Sequence, residues 1–129
     1  MSTLRLTTPR IPDPLEAVHQ ERVMMLAALH EFQHPELALL FAIPNGGHRA
    51  KATAAALKRQ GVKRGVPDLC LPVPRCGFHG LWIELKRLRD SSPTEEQKEW
   101  IERLTAQGYR AVVRRGSDAA WSEILTYLK

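Results

Sequence analysis

The chain has 129 residues, 43% of them hydrophobic and 26% charged. That is the balance of one soluble globular domain and too little chain for a two-domain enzyme. No apolar run approaches the roughly 18 residues of a membrane span. The amino-terminal stretch lacks the apolar core of a secretory signal, so a cytoplasmic protein with reduced thiols is expected. A formal charge of +5 favours an anionic partner without identifying it.

In chain order, residues 2–14 contain three prolines and few large apolar groups, and residues 1–13 read as an extended arm. A helix is expected to begin near Asp13 or Pro14, with Asp13 as its cap and Glu16 at the positive end of its dipole. Leu15, Val18, Met25, Leu26 and Leu29 recur at helical spacing and predict its apolar stripe, widened by Val23 and Met24 and ending near His34-Pro35. Leu37–Ile43 reads as a strand entering the Pro44-Asn45-Gly46-Gly47 turn. Residues 49–60 read as a second helix, with alanines for close packing and Gly61 as its stop. Residues 66–73 and Leu81–Lys86 predict two more strands around a loop at Pro74–Gly80, the second apolar enough to be central. Ser92-Pro93 opens a third helix with Trp100, Ile101 and Leu104 on its apolar face. Tyr109–Val113 predicts a fourth strand, and Ser117 or Asp118 caps a last helix. The expected fold is α/β, a small mixed sheet flanked by helices.

The chemistry concentrates in Pro67-Asp68 and Glu84-Leu85-Lys86. Alternate residues of a strand share a face, so Glu84 and Lys86 point together, away from Ile83 and Leu85. Charges in an apolar strand are costly to bury unless they meet each other, a metal or solvent. Asp68 lies on the preceding strand, so it can face Glu84. Two carboxylates brought together repel, and a divalent cation relieves the repulsion. Oxygen donors suit a hard ion, Mg²⁺ or Mn²⁺, to which the Leu85 carbonyl can add one oxygen. Such an ion lowers the pKa of a bound water, which Lys86 can orient or activate. No organic cofactor is called for.

Four segments in order make the pattern specific. They are Ile43-Pro-Asn-Gly-Gly-His-Arg49, Gly65-Val-Pro-Asp-Leu69, Glu84-Leu-Lys86 and Ser92-Pro-Thr-Glu-Glu-Gln97-Lys-Glu-Trp100. Together they resemble the VRR-NUC domain, within the PD-(D/E)XK nuclease superfamily, over nearly the whole chain. The resemblance implies a restriction-endonuclease-like core in residues 14–129 and Mg²⁺- or Mn²⁺-dependent cleavage of DNA. It implies catalytic roles for Asp68, Glu84 and Lys86, a supporting role for Gln97, and an acidic residue on the first helix beside the metal. Glu16, with Gln20 four positions on, fits that residue best; Glu21 is the rival. The two point about 140° apart around a helix, so only one reaches the metal.

Asn45, His48, Arg49 and Lys51 lie at a strand-to-helix turn suited to phosphate contacts. Lys63 and Arg64 add a basic edge near Asp68, and Arg87 and Arg89 follow the central strand. Such contacts hold a nucleic-acid backbone and read no bases. Shape-selective binding is therefore expected over sequence-specific cutting, and the VRR-NUC resemblance implies branched or flapped DNA, a Holliday junction or a flap, in a bacterial or phage-infected cell. A chain this small covers little of a junction, which favours a homodimer with two sites. The alternatives are a nicking or restriction-type nuclease on plain duplex and an inactive DNA-binding module. The spacing of Cys70, Cys76 and His79, like the lone pair His30 and His34, does not make a zinc site.

Overall fold

A computed structural model describes residues 10–44 and 51–129, with side chains from residue 53 in the second segment. The elements are α1 (Glu16–Leu29), a 3₁₀ turn (Pro35–Leu39), β1 (Phe41–Ala42), α2 (Lys51–Arg59), β2 (Leu69–Leu71), β3 (Leu81–Lys86), α3 (Glu95–Ala106), β4 (Arg110–Arg115) and α4 (Gly116–Leu128). The sheet order is β1-β2-β3-β4. β1–β2 and β2–β3 are antiparallel, and β3–β4 is parallel. Parallel neighbours need a crossover, and α3 supplies it.

β3 is central and two-faced. Leu81, Ile83 and Leu85 are at most 1% exposed and join Val23 and Ala27 of α1 and Ile124 and Leu128 of α4 in one apolar cluster. Full burial of each such side chain contributes about 1.5–3 kcal/mol. Trp82, Glu84 and Lys86 occupy the opposite face by alternation, where Gln97 of α3 reaches Glu84. α4 is fixed to β4 by Glu123, which accepts from Arg110 and Arg114. Burial raises the Glu123 pKa, but the two guanidinium bonds outweigh it and leave a net lowering.

Several element boundaries depart from expectation. Only Phe41 and Ala42 pair as strand, because Pro35–Leu39 coils into a 3₁₀ turn that buries Leu37. α1 begins at Glu16 behind Leu15, with no side-chain cap. Asp13 instead accepts hydrogen bonds from the Leu88 and Arg89 amides. Partial burial raises its pKa, yet these bonds, His19 and the Arg87 charge together hold it at about 2. α1 also ends at Leu29, ahead of His34, where the ring of His30 turns back to the Leu26 carbonyl. The helix is rotated from the expected stripe: Val23 is buried as expected, but beside His19 and Ala27, while Leu15, Met25 and Leu29 are exposed. Thr94, not Ser92, caps α3, and its hydroxyl and Gln97 complete a capping box. α4 starts at Gly116 behind Arg115, so neither Ser117 nor Asp118 is its cap. In α2, Ala54 and Ala55 are exposed and do not serve close packing.

Candidate metal centre

The register of β2 on β3 builds the centre. Leu69 lies opposite Ile83, so one further step places Asp68 opposite Glu84 on the same face. Asp68 continues the sheet there, its carbonyl accepting from the Ile43 amide at 2.8 Å. Its Oδ2 accepts from the Leu85 amide at 2.8 Å, which fixes the carboxylate against β3. Glu16, on the first turn of α1, completes the group. One carboxylate oxygen from each of Glu16, Asp68 and Glu84 lies within 4.8 Å of the other two. Glu21 is exposed and not part of this group.

Glu84 is 1% exposed. Its Oε1 accepts from Gln97 Nε2 at 2.9 Å and lies 3.5 Å from Lys86 Nζ. Its Oε2 is buried with no hydrogen-bond partner among the described residues. Burial, helped by the facing Asp68, pushes the Glu84 carboxyl up to about 8. Burial also raises Asp68, against the opposing Leu85 amide and Lys86 ammonium. Glu16 shifts upward through burial and the Asp68 charge. Three carboxyls that all resist ionisation need a positive partner to be charged together. The donors are all oxygen, one of them buried and unpartnered, so the residues fit a hard divalent cation.

The approach to Asp68 is held from α3. Trp100 Nε1 donates to the Arg64 carbonyl at 2.9 Å. Gly65, at φ +84°, lies so close that a Cβ there would sit 2.8 Å from the Glu96 carbonyl carbon. Arg64, Gly65 and residues 94–97 line an open cleft of about 420 Å³. The Trp100 link and the Asp13 latch were not anticipated. The tight glycine preceding Pro67-Asp68 is the one local signal for the first, and none marks the second.

The other expected residues fall as follows. Lys63 and Arg64 are exposed, Arg64 beside the cleft. Arg87 and Arg89, expected on nucleic acid, donate to arm carbonyls at Asp13, Pro14 and Ile11. Asn45, His48, Arg49 and the Lys51 side chain lie outside the described residues.

The VRR-NUC domain model matches residues 16–118. The chain belongs to the VRR-NUC family. A solved structure titled VRR_NUC domain protein is 36% identical, covers 92% of this chain and 91% of its own, and superposes with a TM-score of 0.79. Among curated proteins none matches. VRR-NUC membership makes this a nuclease fold, with the acidic group where α1 meets its central sheet.

Proposed function

We propose that this VRR-NUC protein is a metal-dependent endonuclease that hydrolyses phosphodiester bonds in branched or flapped DNA. The observation that carries the reading is the convergence of Glu16, Asp68 and Glu84, whose carboxylate oxygens lie within 4.8 Å of one another. These side chains, with the Leu85 carbonyl, would hold Mg²⁺ or Mn²⁺. The ion supplies Lewis-acid polarisation and a more acidic bound water. Lys86, held beside Glu84, orients the attacking water and balances charge at the scissile phosphate. Gln97 holds Glu84 in place by its side-chain amide. Arg64 and Lys63, with Asn45, His48, Arg49 and Lys51, would grip the phosphate backbone. Residues 14–129 form the catalytic domain on this reading. The DNA would be met in the cytoplasm on this reading; among the described residues no helix is long and apolar enough to cross a membrane.

A paired cut needs two sites, and the exposed side of α1 favours a second copy of the chain. Leu15, Val18, Met25 and Leu29 are 66%, 37%, 56% and 69% exposed. Their spacings of three, seven and four put them on one side of the helix, with the exposed Arg22 among them, and Phe32, 98% exposed, follows in the chain. Large apolar side chains gathered on one exposed side of a helix favour such an interface.

The deciding experiment incubates the protein with labelled duplex, flap, fork and four-way junction in Mg²⁺ or Mn²⁺. Faster cutting of a branched substrate is expected, with none in EDTA. Equal cutting of all four would remove the branched-substrate claim. Binding without nicks in either metal would make the protein a DNA-binding module.

A further inference from the structure

We propose that Asp13 is a positioning residue of the acidic centre, setting where Glu16 stands by tying the start of α1 to the chain that leaves β3. This rests on the nuclease reading in one respect, that Glu16 is an ion ligand.

Glu16 occupies a precarious place. It is the first residue of α1, and Leu15 behind it offers no side-chain cap. Uncapped helix ends have unsatisfied amides and fray. A ligand on a fraying turn would be a poor member of an ion site, which needs its groups held to roughly 0.5 Å. Asp68 and Glu84 face no such problem, because strand register sets them.

Asp13 supplies the missing restraint from three positions before Glu16. Its Oδ1 accepts from the Leu88 amide at 2.8 Å and its Oδ2 from the Arg89 amide at 3.0 Å. Those amides belong to the residues that follow Glu84 and Lys86 out of β3. His19 Nδ1 accepts from the Ser117 amide at 3.1 Å, so the ring proton sits on Nε2, which donates to Asp13 Oδ1 at 3.2 Å. His19 lies three positions after Glu16 on α1. One carboxylate is thus bonded both to the segment that leaves the strand carrying Glu84 and to the helix that carries Glu16. The main chain is clamped as well: Arg87 donates to the Asp13 carbonyl at 2.7 Å and to the Pro14 carbonyl at 3.1 Å.

The surroundings leave this junction little slack. Gly116, at φ +81°, packs where a Cβ would lie 2.5 Å from Leu88 Cδ2 and 3.6 Å from the His19 ring. α4 therefore closes over Leu88 and His19 together. An aspartate that only stabilised the fold would affect every ligand alike. The position of Asp13 ties its effect to Glu16.

The test is calorimetric titration of the full chain with Mn²⁺, for the wild type, Asp13→Ala, Glu16→Gln and the double variant, each checked by thermal melting. Loss of a group that orients a metal ligand costs about 10–100-fold in affinity, and Asp13→Ala is expected to fall in that range. In the Glu16→Gln background the same change should cost less than about threefold, since interacting sites are not additive. Wild-type affinity in Asp13→Ala, or an equal loss in both backgrounds, overturns the proposal. If Asp13→Ala does not fold, Asp13→Asn serves the same cycle, because it keeps one acceptor and loses the other. A wild type that binds no Mn²⁺ overturns the nuclease reading and this one with it. Normal wild-type binding with an unaffected Asp13 variant overturns this one alone.

Discussion

Gln97 donates through Nε2 to Glu84 Oε1 at 2.9 Å, while its own Oε1 accepts the Thr94 amide at 2.8 Å. One side chain closes the first turn of α3 and steadies a buried carboxylate on β3. Gln97→Ala is expected to lose about 1–2 kcal/mol of stability through the cap and about 10–100-fold in cleavage rate through Glu84. Gln97→Glu keeps the capping acceptor and removes the donor. It should recover the helix and not the activity, as urea melts and cleavage assays on the same preparations will show.

Glu84 costs stability in the absence of a cation, because it is a buried acid facing another acid. Glu84→Gln should therefore melt higher than the wild type in EDTA and cleave no DNA. Lys86→Ala should likewise cut nothing while circular dichroism shows the fold retained. Full cleavage by either variant would remove the role assigned to that residue.

A carboxyl with a higher pKa folded than unfolded holds more protons in the folded state. Burial and Asp68 raise Glu84 from 4.5 to about 8. Its contribution to stability is full below the unfolded value of 4.5 and is lost as pH rises toward about 8. Asp68 shifts in the same direction. The melting temperature in EDTA should accordingly fall over that range. Saturating Mn²⁺ should reverse the slope, since it binds the ionised carboxylates. A scan of melting temperature against pH with and without metal checks this, and a flat curve in EDTA contradicts it.

Gly65 and Gly61 both have positive φ, at +84° and +99°, but a Cβ at Gly61 meets nothing within 4 Å. Gly61→Ala should cost about 1 kcal/mol for the backbone conformation alone. Gly65→Ala adds a clash with the α3 main chain and should cost about 2–4 kcal/mol. It should also slow cleavage, because the segment entering Asp68 must shift. Paired denaturant midpoints separate the two variants.

The exposed seam on α1 predicts a dimer in solution. Sedimentation should report twice the chain mass for the wild type and a monomer for Met25→Glu with Leu29→Glu. Both residues are exposed, so the melting temperature at low concentration should change little. A monomeric wild type would exclude the two-copy reading.

The central strand was legible because its bounds coincide with an apolar run broken by two charges, and alternation alone put Glu84 and Lys86 on one face. The facing of Asp68 and Glu84 followed from hairpin topology. Spacing did not choose between Glu16 and Glu21, since both fit a helix and only the docking of α1 on α4 and β3 brings Glu16 inward. The inward side of α1 was misread because its deepest polar member is His19, held by Asp13 and Ser117. A count of apolar residues cannot find a buried histidine. The same count favoured Leu15, Met25 and Leu29, which no other described residue covers. Leu37–Ile43 was apolar enough for a strand, yet Pro35 starts a 3₁₀ turn instead. Thr94 displaced Ser92 as the cap because Gln97, three residues on, answers it.

Two of the three converging acids share one hairpin, whereas Glu16 arrives from a helix more than fifty positions earlier in the chain. An ion shared among them is then also a cross-link between distant parts of the polypeptide. Chelation should loosen α1 before it loosens the hairpin, and hydrogen exchange would register that order of release.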